Sequence, residues 1–269
     1  MRPSGAASGR RQWGGVVAYE IRAMSLAELL DSSFRILRDH FVAIAGVSAI
    51  VNVPVAVGQT LMQVEAEAGA SLSLPAVGLA FAFLTFALAS PVVGAAVTHL
   101  IGEAYLGRPA RLGEAFRVAL RILVPLIGTS LLVGVIMIGM TLLFIVPGIW
   151  FMLGVTLLSQ VIVIERRFGM NAIRRSLELM KGNRGRAFLI MILVVVLSGV
   201  VGFAFDLTAG SLPWLGGVAS GLAQAVTGAF ASVVFVVLYF DIRCRKEAFD
   251  IQHLAQLVQA RSEPAPAMA

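Results

Sequence analysis

Six apolar runs constrain the fold of this sequence more than any other feature. A helix needs about 20 apolar residues to cross a hydrocarbon core that is roughly 30 Å thick. The sequence therefore predicts an all-α, polytopic integral membrane protein with about six transmembrane helices in three hairpins, each preceded by a cytoplasmic amphipathic helix. The predicted transmembrane helices cover residues 41–62, 74–101, 122–144, 147–164, 187–206 and 214–240.

The basic residues lie between alternate apolar runs. Residues 1–40, 102–121, 165–186 and 241–269 carry all 21 Lys and Arg residues. The charged residues of the other connections are Glu65, Glu67 and Asp206. By the positive-inside rule, both termini are predicted to be cytoplasmic.

Composition excludes several classes of protein. The formal net charge of +6 would suit a nucleic-acid partner, but a chain that is 58% hydrophobic has little soluble surface for a duplex. We therefore expect the lipid bilayer and its anionic phospholipids as partners, and no nucleic acid. The single cysteine, Cys244, excludes a disulfide framework. No spacing of metal ligands, P-loop or nucleophile elbow is present, so no catalytic residue, metal or cofactor is predicted.

The two ends of the chain are predicted to be tails that flank one membrane domain. Residues 1–23 and 259–269 are predicted to be disordered, and residues 24–258 form the six-helix membrane domain. Met24 is an alternative start of translation, because a capping box formed by Ser25 and Glu28 follows it directly.

The amphipathic helices repeat, one before each hairpin, with a fourth near Ile251. Their apolar faces are predicted to lie in the headgroup layer, and the alternative is that they pack on one another as a solvated cap. Asn171 is a candidate N-cap of the third helix. The arginines predicted to contact lipid or a partner are Arg35, Arg117, Arg174, Arg175, Arg184 and Arg186.

Few polar groups lie within the apolar runs, and they leave two alternatives open. Asn52, Gln59, Gln160 and Gln224 either hydrogen-bond between helices or form an intramembrane polar cluster that lines a solute path. Helix breaks at Pro54, Pro91 and Pro125 would support such a path. The small residues Gly217, Gly221 and Ala225 predict a close helix contact, either within the chain or between subunits of a homo-oligomer.

Three carboxylates near the predicted headgroup depth allow a further alternative. Glu103, Glu165 and Asp241 would be the acids of an interfacial lipid-modifying enzyme. The simpler interpretation is that Glu103 and Glu165 form ion pairs with Arg108, Arg166 or Arg167.

Several short motifs resemble the membrane-domain family named after glycerophosphoryl diester phosphodiesterase, with its YciC-like relatives. They include Phe144–Gly148 with Pro147 and Gly148, then Glu165, Ala172–Ser176, Gly182, Tyr239–Arg243 with Asp241, and Glu247. Ala248 stands where the family usually has Gly. The resemblance covers residues 24–257 and lacks the catalytic phosphodiesterase part. It implies a multi-pass protein of a bacterial plasma (inner) membrane.

The sequence thus predicts a non-enzymatic membrane protein, a scaffold or accessory protein that binds anionic lipids or partner proteins at its basic cytoplasmic face. The alternative functions are a small-solute transporter or channel and, third, the lipid-modifying enzyme.

Overall fold

Helices form almost all of the described structure. The computed structural model describes residues 11–13, 16–18, 22–67, 90–106, 108, 111–143, 145–208 and 213–248. The helices are α1 (Leu26–Asp39), α2 (Phe41–Glu67), α3 (Ser90–Tyr105), α4 (Leu112–Arg121), α5 (Leu123–Leu143), α6 (Ile145–Gly154), α7 (Leu158–Glu165), α8 (Gly169–Met180), α9 (Arg184–Thr208) and α10 (Pro213–Glu247).

Two three-residue strands precede the helices. Strand β1 (Arg11–Trp13) pairs antiparallel with β2 (Val16–Ala18), and both lie within the tail that the sequence predicts to be disordered. An isolated two-stranded hairpin is only marginally stable in water. Its presence therefore does not contradict the predicted disorder of residues 1–23, which stays a prediction. Residues 259–269 and the fourth amphipathic helix near Ile251 lie outside the described residues.

Five helical segments among the described residues are long and apolar enough to cross a membrane, which agrees with the predicted multi-pass character. They are Phe41–Thr60, Leu123–Leu142, Val146–Glu165, Arg184–Phe205 and Leu215–Glu247. The predicted helix over residues 74–101 is described only from Ser90 onwards, as part of α3. The count of six therefore stays a prediction.

Helix α10, with 35 residues, is the centre of the bundle. It packs against α2, α9, α1 and α3, and the side chains of Val233, Val234 and Val237 are fully buried. A Cβ atom at Gly221 would lie 2.6 Å from the Cα atom of Val53, and one at Gly217 would lie 2.7 Å from that of Val57. The close contact of the small-residue face is thus made within the chain, against α2.

Helices α5 and α9 expose most of their apolar side chains. Val135, Val195 and Phe203 are each more than 60% exposed. A surface of this kind is unfavourable in water, and it suits helices whose outer faces are covered by lipid tails.

The amphipathic helices bury their main apolar faces against the bundle. Leu29 and Ile36 of α1 and Ala119 of α4 are fully buried. The capping box of α1 is present as predicted, since Ser25 and Glu28 bond to each other's backbone N–H groups. A hydrogen bond from Arg22, together with those from Ser25, lowers the pKa of Glu28 to about 2.

The fourth predicted span is interrupted. Helix α6 ends at Gly154 and α7 begins at Leu158, with a turn between them. Thr156 donates a hydrogen bond to the carbonyl of Leu153 (3.0 Å), and Ser176 of α8 donates one to the carbonyl of Gly154 (2.9 Å). Side-chain hydroxyls therefore help to satisfy the carbonyls that the break leaves without helical partners.

The local structure departs from the sequence interpretation at the prolines and at Asn171. The break involves no proline, whereas α2 continues through Pro54 and Pro125 lies in the first turn of α5. Pro147 and Gly148 lie within α6, which begins at Ile145. Asn171 is not the N-cap of α8, since that helix begins at Gly169 after Phe168.

Candidate functional site

The last turns of α10 carry polar side chains on two faces. Tyr239, Arg243 and Glu247 follow one another at four-residue spacing, as do Asp241 and Arg245, and residues four apart are neighbours on a helix. Each set contacts a different part of the basic segments. The result is two networks at the same end of the bundle.

The first network joins α7, α8 and α10, and we call it the Glu165 network. The Arg175 guanidinium donates hydrogen bonds to both carboxylate oxygens of Glu165, at 2.9 and 3.1 Å, and it also forms an ion pair with Glu247. The Tyr239 hydroxyl donates to Glu165 (2.9 Å), while Arg243 donates to Glu247 (2.9 Å) and to the Tyr239 oxygen (3.3 Å). Two carboxylates and two guanidinium groups therefore balance in charge.

Arg175 connects the two carboxylates of this network. Burial alone would lower the pKa of Arg175, but its hydrogen bonds to Glu165 and Glu247 outweigh that effect and raise the pKa above its usual value. The guanidinium is therefore permanently charged, and its side chain is only 15% exposed. Removal of either carboxylate would leave a largely buried charge with less compensation.

The second network joins the start of α1 to α9 and α10, and we call it the Asp241 network. Asp241, which is 1% exposed, accepts a hydrogen bond from the backbone N–H of Met24 (2.6 Å). It also forms ion pairs with Arg186 (3.3 Å) and Arg245 (3.1 Å). Both arginines donate hydrogen bonds to the carbonyl of Met24. The network thus binds both backbone polar groups of one residue, Met24.

Lys246 provides a third link between α10 and the basic segments. Its ammonium donates hydrogen bonds to the carbonyls of Glu178 (2.6 Å) and Lys181 (2.7 Å) at the end of α8. A cation at this position adds hydrogen bonds to carbonyls at the C-terminal end of α8, where the helical hydrogen-bond ladder ends.

A groove rich in arginine lies beside the Glu165 network, and we call it the basic groove. Its lining residues are Arg166, Arg167, Phe168, Asn171, Arg174, Arg175 and Glu178. Arg166 has φ +52°, in the left-handed region, and it ends α7 directly after the candidate span Val146–Glu165. The groove therefore begins where a candidate membrane span ends.

The four arginines of the groove differ in their partners. Arg175 belongs to the Glu165 network, and Arg167 forms an ion pair with Glu165 at 3.2 Å. Arg166 and Arg174 are exposed, and neither has a carboxylate within ion-pair distance among the residues that the structure describes. These two guanidinium groups are therefore accessible to an anion from solution or from a bilayer.

The six arginines predicted to contact lipid or a partner have different environments. Arg35 pairs with Asp31 on the surface of α1, Arg175 and Arg186 belong to the two networks, and the Arg184 guanidinium lies 4.2 Å from the ring centroid of Trp150. Arg117 and Arg174 are exposed. Of the six, the structure places Arg174 and Arg175 together in the groove.

The four intramembrane amides are not joined by hydrogen bonds among the described residues. Asn52 donates to the carbonyl of Ser48 in its own helix (2.8 Å), while Gln59 and Gln224 are exposed. Gln160 is 4% exposed, and its Oε1 atom has no hydrogen-bond partner.

The three carboxylates considered for catalysis are held by arginines. Glu103 pairs with Arg108 (3.5 Å), and Glu165 and Asp241 are the acids of the two networks. The simpler interpretation of Glu103 and Glu165 as ion-paired residues is thus confirmed.

Several residues of the two networks are positions of the motifs that carry the family resemblance. Glu165, Asp241, Arg243 and Glu247 all belong to them. Ser176 bonds to Gly154 at the break between α6 and α7, and Gly182 adopts φ +85° after α8, where glycine is favoured.

Other motif positions and one unpredicted residue serve packing and charge balance. A Cβ atom at Gly148 would lie 2.7 Å from Thr141 Oγ1, so Gly148 permits the close contact of α6 with α5. Pro147 is exposed. Sequence reasoning missed Arg245, although its four-residue spacing from Asp241 was a usable signal.

Comparisons with known proteins give one family assignment. Residues 76–260, more than half of the chain, match the family model described as "Domain of unknown function (DUF8558)". No curated protein and no solved structure gives a significant match.

Proposed function

The chain belongs to the family described as Domain of unknown function (DUF8558), and because that description names no activity, we propose a function from the geometry of the basic groove. In this proposal the protein is a non-enzymatic membrane scaffold or accessory protein that binds anionic phospholipid headgroups in the groove. The observation that carries the proposal is the pair of exposed arginines, Arg166 and Arg174, without carboxylate partners among the described residues.

The position of the groove favours a lipid headgroup over a soluble anion. Arg166 is the first residue after the candidate span Val146–Glu165, so it lies at the depth where a helix leaves the hydrocarbon core. Phosphate groups of phospholipids lie in that layer, and basic side chains next to a span are attracted to them. Phe168 adds an apolar lining residue beside the arginines.

The charge of the groove supports an anionic ligand. Four arginines and one glutamate line it, and Arg167 and Arg175 form ion pairs with Glu165 and Glu247. Arg166 and Arg174 form no ion pair among the described residues, so the positive charge of the groove is least compensated at these two positions. A planar guanidinium group can donate two hydrogen bonds to one phosphate, which adds geometric specificity to the attraction.

The other two functions considered from the sequence have less support. A solute path would be supported by convergence of the four amides, and no hydrogen bond joins them in the described part of the chain. A lipid-modifying enzyme would need an available acid or base, whereas Glu103, Glu165 and Asp241 are each held by arginines.

Localisation forms part of the same proposal. The protein is placed in a bacterial plasma membrane with both termini and the basic groove on the cytoplasmic side. The distribution of the 21 Lys and Arg residues supports the orientation, and the family resemblance supports the choice of membrane.

The test is a titration of the detergent-solubilised full chain with phosphatidylglycerol, followed by native mass spectrometry. Each arginine near an anionic surface contributes about 1 kcal/mol, so Arg166→Gln with Arg174→Gln should raise the Kd by roughly tenfold to thirtyfold. The control, Arg35→Gln with Arg38→Gln, removes two equal charges from α1, and it should leave the Kd almost unchanged.

Equal losses in both double variants would show general surface attraction and contradict a defined site. An unchanged Kd in the groove variant would also contradict the proposal. A protein subunit retained in place of lipid would point to a protein partner.

A further inference from the structure

Helix α4 has three distinct surfaces around its axis. At 100° per residue, Ala115, Ala119 and the following Ile122 form one arc, and all three are buried against the bundle. Two of these residues are alanines, so the helix backbone lies close to the elements that it contacts. This arc accounts for the attachment of α4 to the protein.

The second arc of α4 is apolar and exposed. Leu112 and Leu120, eight residues apart, are 44% and 60% exposed. Phe116 lies between them and is half-buried against the core. The edge formed by these three residues is about 12 Å long. No other element covers the two leucines in the described part of the chain.

The third arc is basic. Arg117 and Arg121 are both exposed, and they follow the apolar edge around the helix. The exposed Glu114 lies next to Arg121 on the far side, so the arc carries one net positive charge. An exposed apolar edge beside a basic edge is the pattern of helices that lie in the plane of a membrane surface.

The connections of α4 hold it at the membrane surface. Ile122 alone separates α4 from α5, whose candidate span begins at Leu123. Leu120 and Leu123 are three residues apart, so their Cα atoms are separated by at most about 11 Å. Val124, one residue further on, is 81% exposed. The exposed edge of α4 therefore continues into the lipid-facing surface of α5.

We propose that α4 is an interfacial helix that binds the bilayer surface directly, with Leu112 and Leu120 at the acyl boundary and Arg117 and Arg121 at the phosphates of anionic lipids. This surface is separate from the basic groove, which is formed by α8 and the three residues before it. It rests on the membrane-spanning character of the chain and does not require the groove to bind lipid.

Spin labels on single cysteines test the depth of α4 in the full chain. In a Cys244→Ser background, Leu112→Cys and Leu120→Cys are labelled in bilayers of phosphatidylcholine with or without phosphatidylglycerol. Both probes should be relaxed by oxygen, which concentrates in lipid, and little by a water-soluble nickel chelate. Ile138→Cys in α5 serves as the lipid reference, and Asp31→Cys in α1 serves as the aqueous reference.

Each other outcome would overturn the proposal. Relaxation by the nickel chelate would place the edge in water, and protection from both reagents would show that protein, either a partner or a second copy, covers it. The labelled positions are exposed, so the variants should fold. If the probes lie deeper in bilayers with phosphatidylglycerol than in phosphatidylcholine alone, the double variant Arg117→Gln with Arg121→Gln should abolish that difference in depth. Persistence of that difference would reject the role of the two arginines.

These readouts are independent of the groove. If both proposals hold, the Arg166 and Arg174 variant loses phosphatidylglycerol binding, and α4 keeps its depth in the bilayer. Failure of one proposal is therefore distinguishable from failure of the other.

Discussion

At the scale of single residues, Asp241 is the acceptor on which one end of the bundle depends. Its carboxylate is 1% exposed and is shared by Arg186, Arg245 and the backbone N–H of Met24. A buried carboxylate is costly unless it is paired and hydrogen-bonded. Here the three donors come from three different segments, so the charge is compensated only in the folded chain.

Asp241→Asn is expected to destabilise the protein by about 3 kcal/mol, the lower end of the effect of removing one partner from a buried ion pair. The variant leaves Arg186 and Arg245 without their shared counter-charge, and Arg245 is partly exposed, which limits the cost. The measurement is reversible unfolding of the purified protein in mixed micelles.

Asp31→Asn is the matched control for this variant. Asp31 and Arg35 are both about half exposed, and exposed pairs contribute about 0–1 kcal/mol. Similar small losses in both variants would show that the Asp241 network has no special importance for stability.

The sequence identified most of the charged residues of the two networks but not their contacts. Asp241, Arg243 and Glu247 were motif positions, and Arg175 and Arg186 were predicted to contact lipid or a partner. Their pairing could not be predicted, because Met24 and Asp241 are 217 residues apart and the contact depends on how the helices pack. Arginine in a basic segment gives the same sequence signal whether it contacts lipid or a buried carboxylate.

At the scale of elements, the contact of α2 with α10 has the most restrictive geometry. Val53 and Val57 present their backbone to Gly221 and Gly217, at distances that leave no room for a Cβ atom. Small residues of this kind allow membrane helices to approach closely, where packing and not hydrophobicity drives association.

Gly221→Ala is expected to destabilise the protein by about 1–3 kcal/mol, because the new methyl group would overlap backbone atoms of α2. Gly228→Ala on the same helix meets no atom within 4 Å. That control should be neutral or slightly stabilising, since alanine favours a helix by about 1 kcal/mol relative to glycine. Parallel unfolding curves of the two variants provide the measurement, and equal stabilities would refute the close contact.

Local signals in the sequence were reliable where the chemistry is local. The capping box of α1 uses Ser25 and Glu28, which are three residues apart, and it was predicted correctly. The N-cap of α8 was not, because the N–H group of Gly169 bonds to Thr129 of α5, 40 residues away. The turn after Gly154 was also missed, since Ser176 supplies one of its hydrogen bonds from another helix.

At the scale of the whole molecule, the networks, the basic groove and α4 involve the segments that carry the basic residues. The same distribution of charge predicts the orientation of the chain in its membrane. The five candidate spans are long and apolar. The side of the membrane on which their connections lie can be measured on intact cells.

Single cysteines in a Cys244→Ser background should report this orientation. Asp31→Cys in α1 should react with a membrane-impermeant maleimide only after lysis, since the basic segments are predicted to be cytoplasmic. Ser211→Cys, in the connection between α9 and α10, should react on intact cells. The reverse pattern of labelling would contradict the proposed topology.

The hydrogen bond between Met24 and Asp241 also affects the order in which the protein assembles. A ribosome adds about 5–20 residues per second, and 217 residues separate the two partners. The first helix to be synthesised therefore waits roughly 10–40 s before the carboxylate that fixes its start has been made. The order of synthesis thus makes the docking of α1 onto α10 a late event in the assembly of the protein.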